Sequence, residues 1–554
     1  MQDITSIIQK TVKSALGADI AVELVRTEEK FGDYTTNVAL HLAGKLKRQP
    51  REVAEQLAAK LSPALDGIAE KIEVAGPGFI NLTLTTRRLL EDARSAVVIL
   101  PNNYQDKSVV VEYSDPNPFK VLHAGHFYTS VVGDAIANLF ELSGATVHRV
   151  NFGGDVGRHV GQTMWSIIQE FGGEFPDKLD SIVASERPDW LAAHYINGTN
   201  HFEEAKNEIV KLNEWVYKLV EEEDYASPLA RIYWQCRQWS YDYFDEFYKK
   251  IGSKFEKYYP ESTVASLGLN TVKKYTGQVF TVSDGAVVFE GEKYGLHTRV
   301  FVNSQGLPTY EAKDVGLIMR KWQDYHFDKS VVITGNEQEQ YMAVVLEAIK
   351  HFAPDLANRT SHITHGMVKM KGGVKMSSRL GNILRAEMVL QAAKDANKKA
   401  TGHDSTESAL AAVKYAFLKQ RTGGDIIYDP DESVSLEGNS GPYLQYAHAR
   451  ARSVIAKSGQ TPSEVDDTLQ PDERSLARKI GAYPEVLQKT VDELVPHVLC
   501  TYLHELTQNY NRFYEKNKIV GDEREAIRLH LTHLFAEVIK DGLGLLSINA
   551  PDKM

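Results

Sequence analysis

Two histidines, His123 and His126, enclose Ala124 and Gly125 directly after the stretch "SVVVEYSDPNPFKVL". A pair of imidazoles can donate hydrogen bonds to phosphate oxygens whose charge grows in a transition state. Gly125 has no Cβ, so a flat base can approach the backbone there. In a chain with 18 His and 39 Gly, chance would produce H-x-G-H about 0.04 times. The plain alternative is two satisfied surface histidines. Lys120, three residues earlier, could add positive charge beside the same phosphates. A second basic cluster, Lys375 to Arg379, lies in the glycine-rich loop "GMVKMKGGVKMSSRLGN" that runs from Gly366 to Asn382. Carboxylates stand beside the strand-like segments. Glu112 closes "SVVVE", and Tyr310 and Asp314 are four apart, so one helical turn would put them on one face.

These residues need a scaffold. "SVVVEYS" is a β-branched run suited to a strand buried on both faces. The prolines of "SDPNPFK" favour an extended lead-in. A helix is expected from about Ala124 to Ser143, with Val132, Ile136, Leu139 and Phe140 on one side and Gly144 as its cap. "TVHRVNF" reads as the next strand. Strand, helix and strand make a βαβ unit of a doubly wound parallel sheet, which puts the histidines at the carboxyl edge where such sheets bind ligands. The helix N-terminus adds free N–H groups and partial positive charge.

The remaining chain divides around this unit. A length of 554 residues exceeds one core. Residues 1–100 read as an α+β unit with helical periodicity at the start and at "REVAEQLAAKLSPAL", and strands at "DIAVELVR" and "GFINLTLTT". Residues 101–405 hold the Rossmann-like sheet, interrupted at about 165–280 by a helical insertion, and 406–554 read as a helical bundle. No apolar run is long enough for a membrane span, and the opening residues lack a secretory pattern. Two cysteines, Cys236 and Cys500, exclude a disulfide framework and a Cys-based zinc site, and fit a reducing cytoplasm. A net charge of -11 means that a nucleic-acid partner would need local basic patches. "YLQYAHARARSVIAK" offers Tyr443, Tyr446, Arg450 and Arg452, and "NYNRFYEKNK" offers Tyr510 and Arg512. Aromatics can stack unpaired bases while arginines take phosphates. Phe513 or Tyr514, one at least, is expected in the bundle core.

"HAGH" resembles the HIGH motif of class I aminoacyl-tRNA synthetases, and "KMSSR" resembles their KMSKS loop, in the right order. "EYSDPNPFKVLHAGH", "VNFGGDVGRHVGQ", "LPTYEAKDVG", "NSGPYLQYAHARA" and the closing "NRFYEKNKIV" are similar to the arginyl-tRNA synthetases in particular, from about Gly76 to the C-terminus. The resemblance implies activation of L-arginine by ATP to arginyl-adenylate, then transfer to the terminal ribose of tRNA. It implies that bound tRNA is needed for activation, and that magnesium accompanies ATP. It assigns the arginine side chain to Glu112, Tyr310 and Asp314, the α-groups to Asn117 and Gln338, and counts His126 among the arginine-binding residues. The nucleotide falls to His123, Gly125, His126, Gly335, Glu337, Gly366, Met367, Val368, Lys375, Met376 and Ser377, with Arg379 covering pyrophosphate. Phe79 and Asn81 fall near the outer corner of tRNA. One departure matters: the family loop ideally carries a second lysine where this chain has Ser378, and Lys120 stands where a lysine compensates in some relatives. A synthetase for another amino acid is disfavoured by the acidic set. A non-catalytic RNA-binding paralogue is disfavoured by the intact His123, Gly125, His126 and Lys375. A cytoplasmic monomer without a tightly bound cofactor or dedicated metal site is expected.

Overall fold

The computed structural model describes residues 2–372, 384–462, 465 and 468–554. The β-branched run forms β1 (Ser108–Glu112). Val109 and Val111 join one hydrophobic core, and Val110 joins another. This is the period-two alternation of a strand with both faces covered. The chain continues through α1 (Ala124–Leu142), β2 (Thr146–Gly153) and α2 (Arg158–Phe171). After the insertion come β3 (Lys257–Pro260), α3 (Glu261–Lys274), α4 (Tyr310–Tyr325), β4 (Lys329–Gly335), α5 (Glu339–Lys350) and β5 (Thr360–His365). The sheet order is β5-β4-β1-β2-β3, with every neighbouring pair parallel. Order reverses beside β1, and α1 starts at that point.

Two local expectations are corrected. Residues 165–280 are not wholly helical, because β3 lies within them as the sheet's edge strand. It is four residues long and ends in Pro260, so it lacks the alternating apolar signature, and an edge position tolerates both features. The lead-in "SDPNPFK" is not simply extended. Ser114, Asp115 and Phe119 have φ of 73, 50 and 68°, a region that non-glycine residues adopt rarely. The turn is held by Phe152 N–H donating to Asp115 Oδ1 at 2.8 Å and Gly154 N–H donating to Asn117 Oδ1 at 2.8 Å.

Helices Arg187–Asn200, Lys206–Glu221 and Pro228–Ile251 pack with α2 around a separate core that includes Tyr233 and Trp239. A three-stranded antiparallel sheet, Thr281–Ser283, Ala286–Phe289 and Arg299–Val302, precedes α4. At the N-terminus, helices Gln2–Leu16 and Pro50–Ala64 cover a four-stranded antiparallel sheet. Only Val25–Arg26 of "DIAVELVR" pairs in it. The C-terminal helices include Gly441–Ser458, Pro471–Ile480, Tyr483–Glu493, Pro496–Lys516 and Glu525–Leu545.

The two ends of the chain are clasped together. Buried Asp33 accepts from Arg474 at 2.7 Å and Arg478 at 2.9 Å. Arg26 and Tyr34 both donate to Glu485, at 2.7 and 2.6 Å. Bidentate, partly desolvated contacts of this kind are among the stronger polar interactions in proteins.

Candidate active site

His123 caps the N-terminus of α1 in β conformation, and His126 occupies the third helical position. Gly125 N–H donates to His123 Nδ1 at 3.1 Å, and His123 N–H donates to His126 Nδ1 at 3.1 Å. The two rings stack with centroids 3.7 Å apart. A Cβ on Gly125 would sit 2.8 Å from the His123 ring, so glycine is what lets the capped ring fold back. Burial holds the His123 imidazole below its ordinary value and His126 well below it, with the neighbouring His123 and Lys120 charges adding to the latter. Both rings are therefore neutral near pH 7. With Nδ1 accepting in each, the single proton sits on Nε2, and both rings are donors.

A cavity of about 990 Å³ opens beside this turn. Glu112, Asn117, His123, Gly125, His126, Tyr310, Asp314, Gly335, Glu337, Gln338, Gly366, Met367 and Val368 all lie on its wall. The sheet explains the convergence: β1, β4 and β5 end side by side, and their following turns face one crevice. Lys120 is not among the residues that line this cavity; its ammonium lies 4.5 Å over the Tyr195 ring, close enough for its charge to act on both histidines. Lys375, Met376, Ser377, Ser378 and Arg379 lie outside the described residues. Met367 has both backbone groups engaged, its N–H by Asp425 at 2.9 Å and its carbonyl by Ile426 at 2.8 Å. Its side chain is exposed, so an apolar surface for a base remains available at Met367.

The other end of the cavity is acidic, and its charges are mostly matched. Glu112 is paired with the fully buried Lys321. Glu261 pairs with Lys313 at 2.6 Å, and Glu311 with Arg299 at 3.2 Å. Among the described residues, Asp115 and Asp314 are in no ion pair. Asp314 accepts from the Tyr341 hydroxyl, yet burial and then the Glu112 and Glu261 charges push its carboxyl up to about 8. Asp115 is raised well above the usual carboxylate range by burial and by Glu112. Two buried carboxyls without a cation make this end a receptor for positive charge.

Asp115, Glu261, Arg299, Glu311 and Tyr341 were missed as wall residues in the sequence. Asp115 lies inside "SDPN", where its turn-forming role is visible but its burial is not. Tyr341 carries no local signal.

On the bundle, Tyr446 is exposed with the Arg450 guanidinium 4.8 Å over its ring. Arg450 also lies 5.3 Å over Tyr514 and donates to Asn511 at 3.2 Å. Tyr443 is half-buried and its hydroxyl accepts from Asn511 at 2.8 Å. Arg452 pairs with Asp552 at 3.2 Å, and Arg512 is exposed. Tyr510 is a correction: it is fully buried and stacks on Phe535 with centroids 3.9 Å apart, so it has no face for a base. Phe513 is buried and Tyr514 is exposed. Phe79 is exposed and Asn81 half-buried on one strand of the N-terminal sheet.

Three family models match: the class I (R) tRNA synthetase catalytic domain over residues 89–427, the arginyl tRNA synthetase N terminal domain over 2–84, and the DALR anticodon binding domain over 444–554. The arginine–tRNA ligase of Pasteurella multocida is 31% identical, covering 98% of this chain and 100% of the relative. That of Bacteroides fragilis is 28% identical, covering 100% of this chain and 99% of the relative. The fold matches the Thermus thermophilus arginyl-tRNA synthetase at a TM-score of 0.81 and 23% identity over 100% of both chains. The Plasmodium falciparum arginyl-tRNA synthetase gives 0.79 at 21% identity, over 100% and 99%.

Proposed function

Because the chain belongs to the class I arginyl-tRNA synthetase family, whose function is the ATP-dependent aminoacylation of tRNA with arginine, we propose how its cavity divides that work. The observation that carries the proposal is one crevice with neutral donor imidazoles at one end and two cation-free buried carboxyls at the other. The arginine guanidinium enters the acidic end. Asp314 accepts its fork, Tyr310 lies along its plane, and Glu112, held by Lys321, fixes the floor. Asn117 and Gln338 face the α-groups. Asp115 supplies the second carboxyl to a substrate with two positive charges.

ATP lies across the ends of β1, β4 and β5. Gly335 and Glu337 face its ribose, and Gly366, Met367 and Val368 its base. The arginine carboxylate attacks the α-phosphate, and pyrophosphate leaves. His123 and His126 donate from Nε2 to the phosphate oxygens as charge builds. The tRNA ribose hydroxyl then attacks the carbonyl, and AMP leaves. No covalent enzyme intermediate is required, so the protein acts by positioning and charge stabilisation. Lys120 stands in for the lysine absent at Ser378, and Lys375 and Arg379 add positive charge for the pyrophosphate. Magnesium would accompany ATP as part of that substrate and would offset charge on its phosphates. Phe79 and Asn81 meet the outer corner of tRNA, and Tyr446, Arg450, Arg512 and Tyr443 its anticodon end.

We also propose a monomer that works in the cytoplasm and requires bound tRNA for arginine activation. Pyrophosphate exchange with each amino acid, with and without tRNA, tests the whole reading. Exchange with arginine alone, only when tRNA is present, is expected. Equal exchange with lysine would refute the pocket, and equal exchange without tRNA would refute the requirement.

A further inference from the structure

The helix Arg187–Asn200 of the insertion touches, at two points, the chain segments that flank the histidine turn. Tyr195 lies under the Lys120 ammonium at 4.5 Å. Asp189 pairs with Arg385. Arg385 is the antiparallel bridge partner of His123, and the flanking backbone is hydrogen-bonded too: Ala124 N–H to Leu384 O at 2.7 Å and Ala386 N–H to Leu122 O at 3.0 Å. One helix thus reaches both chain segments that border the histidine turn.

That helix is firmly seated. Its His194 and Ser166 of α2 share a hydrogen bond of 2.7 Å, and Trp190 stacks on Phe171 at 5.9 Å. At Gly198 the approach to α2 is so close that a Cβ would meet the Gln162 carbonyl oxygen at 2.0 Å. A lysine side chain has four rotatable bonds and a strongly hydrated head, so it holds no fixed place unaided. A ring fixed on a seated helix supplies one.

We propose that Tyr195 is a positioning residue for arginine activation, holding the Lys120 ammonium beside the histidine pair through its ring face. The insertion is then part of the catalytic apparatus, tied in by the Asp189–Arg385 pair. This rests on the reading of Lys120 as the charge that faces the phosphates.

Cation–π contacts of about 0.5–2 kcal/mol correspond to roughly 2–30-fold in rate. The test is tRNA-dependent pyrophosphate exchange on Tyr195→Leu, Tyr195→Phe, Lys120→Ala and the double variant Lys120→Ala/Tyr195→Leu. Tyr195→Leu should lower kcat by about 5-fold with arginine KM unchanged. Tyr195→Phe, which keeps the ring, should stay within about 2-fold of the parent. The double variant should be no slower than Lys120→Ala. If Lys120→Ala is slow but Tyr195→Leu is not, the positioning role is refuted and the reading of Lys120 stands. If Lys120→Ala matches the parent, that reading itself fails. If Tyr195→Leu slows the Lys120→Ala background by its full factor, or Tyr195→Phe is as slow as Tyr195→Leu, Tyr195 acts by another route and the inference is overturned.

Discussion

Arginine binding should weaken steeply as the pH falls below about 8, because Asp314 must lose a proton to receive a guanidinium. Burial and the nearby Glu112 and Glu261 charges raise its carboxyl to about 8 in the arginine-free cavity. The substrate's guanidinium stays charged throughout, so the only proton at issue there belongs to the protein. The sign follows from linkage. A raised carboxyl is mostly protonated below its pKa, and the bound cation selects the ionised form, so affinity rises with pH and levels off above about 8. Each pH unit below that point costs about 1.4 kcal/mol, or tenfold. Arginine Kd at about pH 6 should therefore be roughly 100-fold weaker than at about pH 8.5. Calorimetric titration of arginine into the tRNA complex, without ATP, measures this. Repeating it in buffers of different ionisation heat counts the proton released. Asp314→Asn should bind arginine about 100-fold more weakly at the upper pH, as expected for a broken buried charge contact, and should lose the part of the pH slope that Asp314 contributes, leaving any part owed to the raised Asp115 carboxyl. A flat wild-type profile over this range, or an Asn variant that keeps the slope, would show that Asp314 does not receive the guanidinium.

His126→Ala should lower adenylate formation by about 100-fold or more, with arginine affinity little changed, in pyrophosphate exchange and calorimetry run side by side. Lys321→Met should strand Glu112 in the core and cost about 3–5 kcal/mol of stability in denaturant titration, while Glu112→Gln/Lys321→Met should cost less. Tyr510→Ala should destabilise the fold by about 3–5 kcal/mol, as a large core truncation. Tyr446→Ala should instead leave the melting temperature unchanged and weaken tRNA binding by about 1–3 kcal/mol in filter binding at fixed salt.

Motifs set by local chemistry were legible in the sequence. The turn at His123 could be placed because a β-branched strand, a glycine and an amphipathic helix announce a sheet edge without any long-range information. Helical spacing put Tyr310 and Asp314 on one face, and the family resemblance gave that face its pocket. What escaped depended on partners distant in the chain. Glu112 reads as an open acid until Lys321, 209 residues later, is seen to hold it. Asp115 looks like a turn former, and only the packing of β2 against it shows that it is buried. Tyr510 and Tyr514 share one aromatic, basic stretch, and a single turn of helix separates core from surface there. The edge strand β3 escaped because a four-residue strand at a sheet margin needs no apolar pattern.

The clasp between Asp33, Arg474 and Arg478 and between Arg26 and Glu485 bears on how a long ligand is gripped. Phe79 belongs to the N-terminal sheet and Tyr446 to the C-terminal bundle, and the clasp ties these two parts to each other, so the surfaces proposed to meet tRNA would act as two linked jaws rather than as beads on a tether. Once one jaw has closed on the RNA, the second contact is made within the same complex at an effective concentration set by a rigid span, with no linker to search. Two individually weak contacts then multiply, and an RNA whose two ends are spaced wrongly gains nothing from the second. On the proposed reading of those surfaces, discrimination by length would rest on the contacts that Arg26, Arg474 and Arg478 make with two carboxylates.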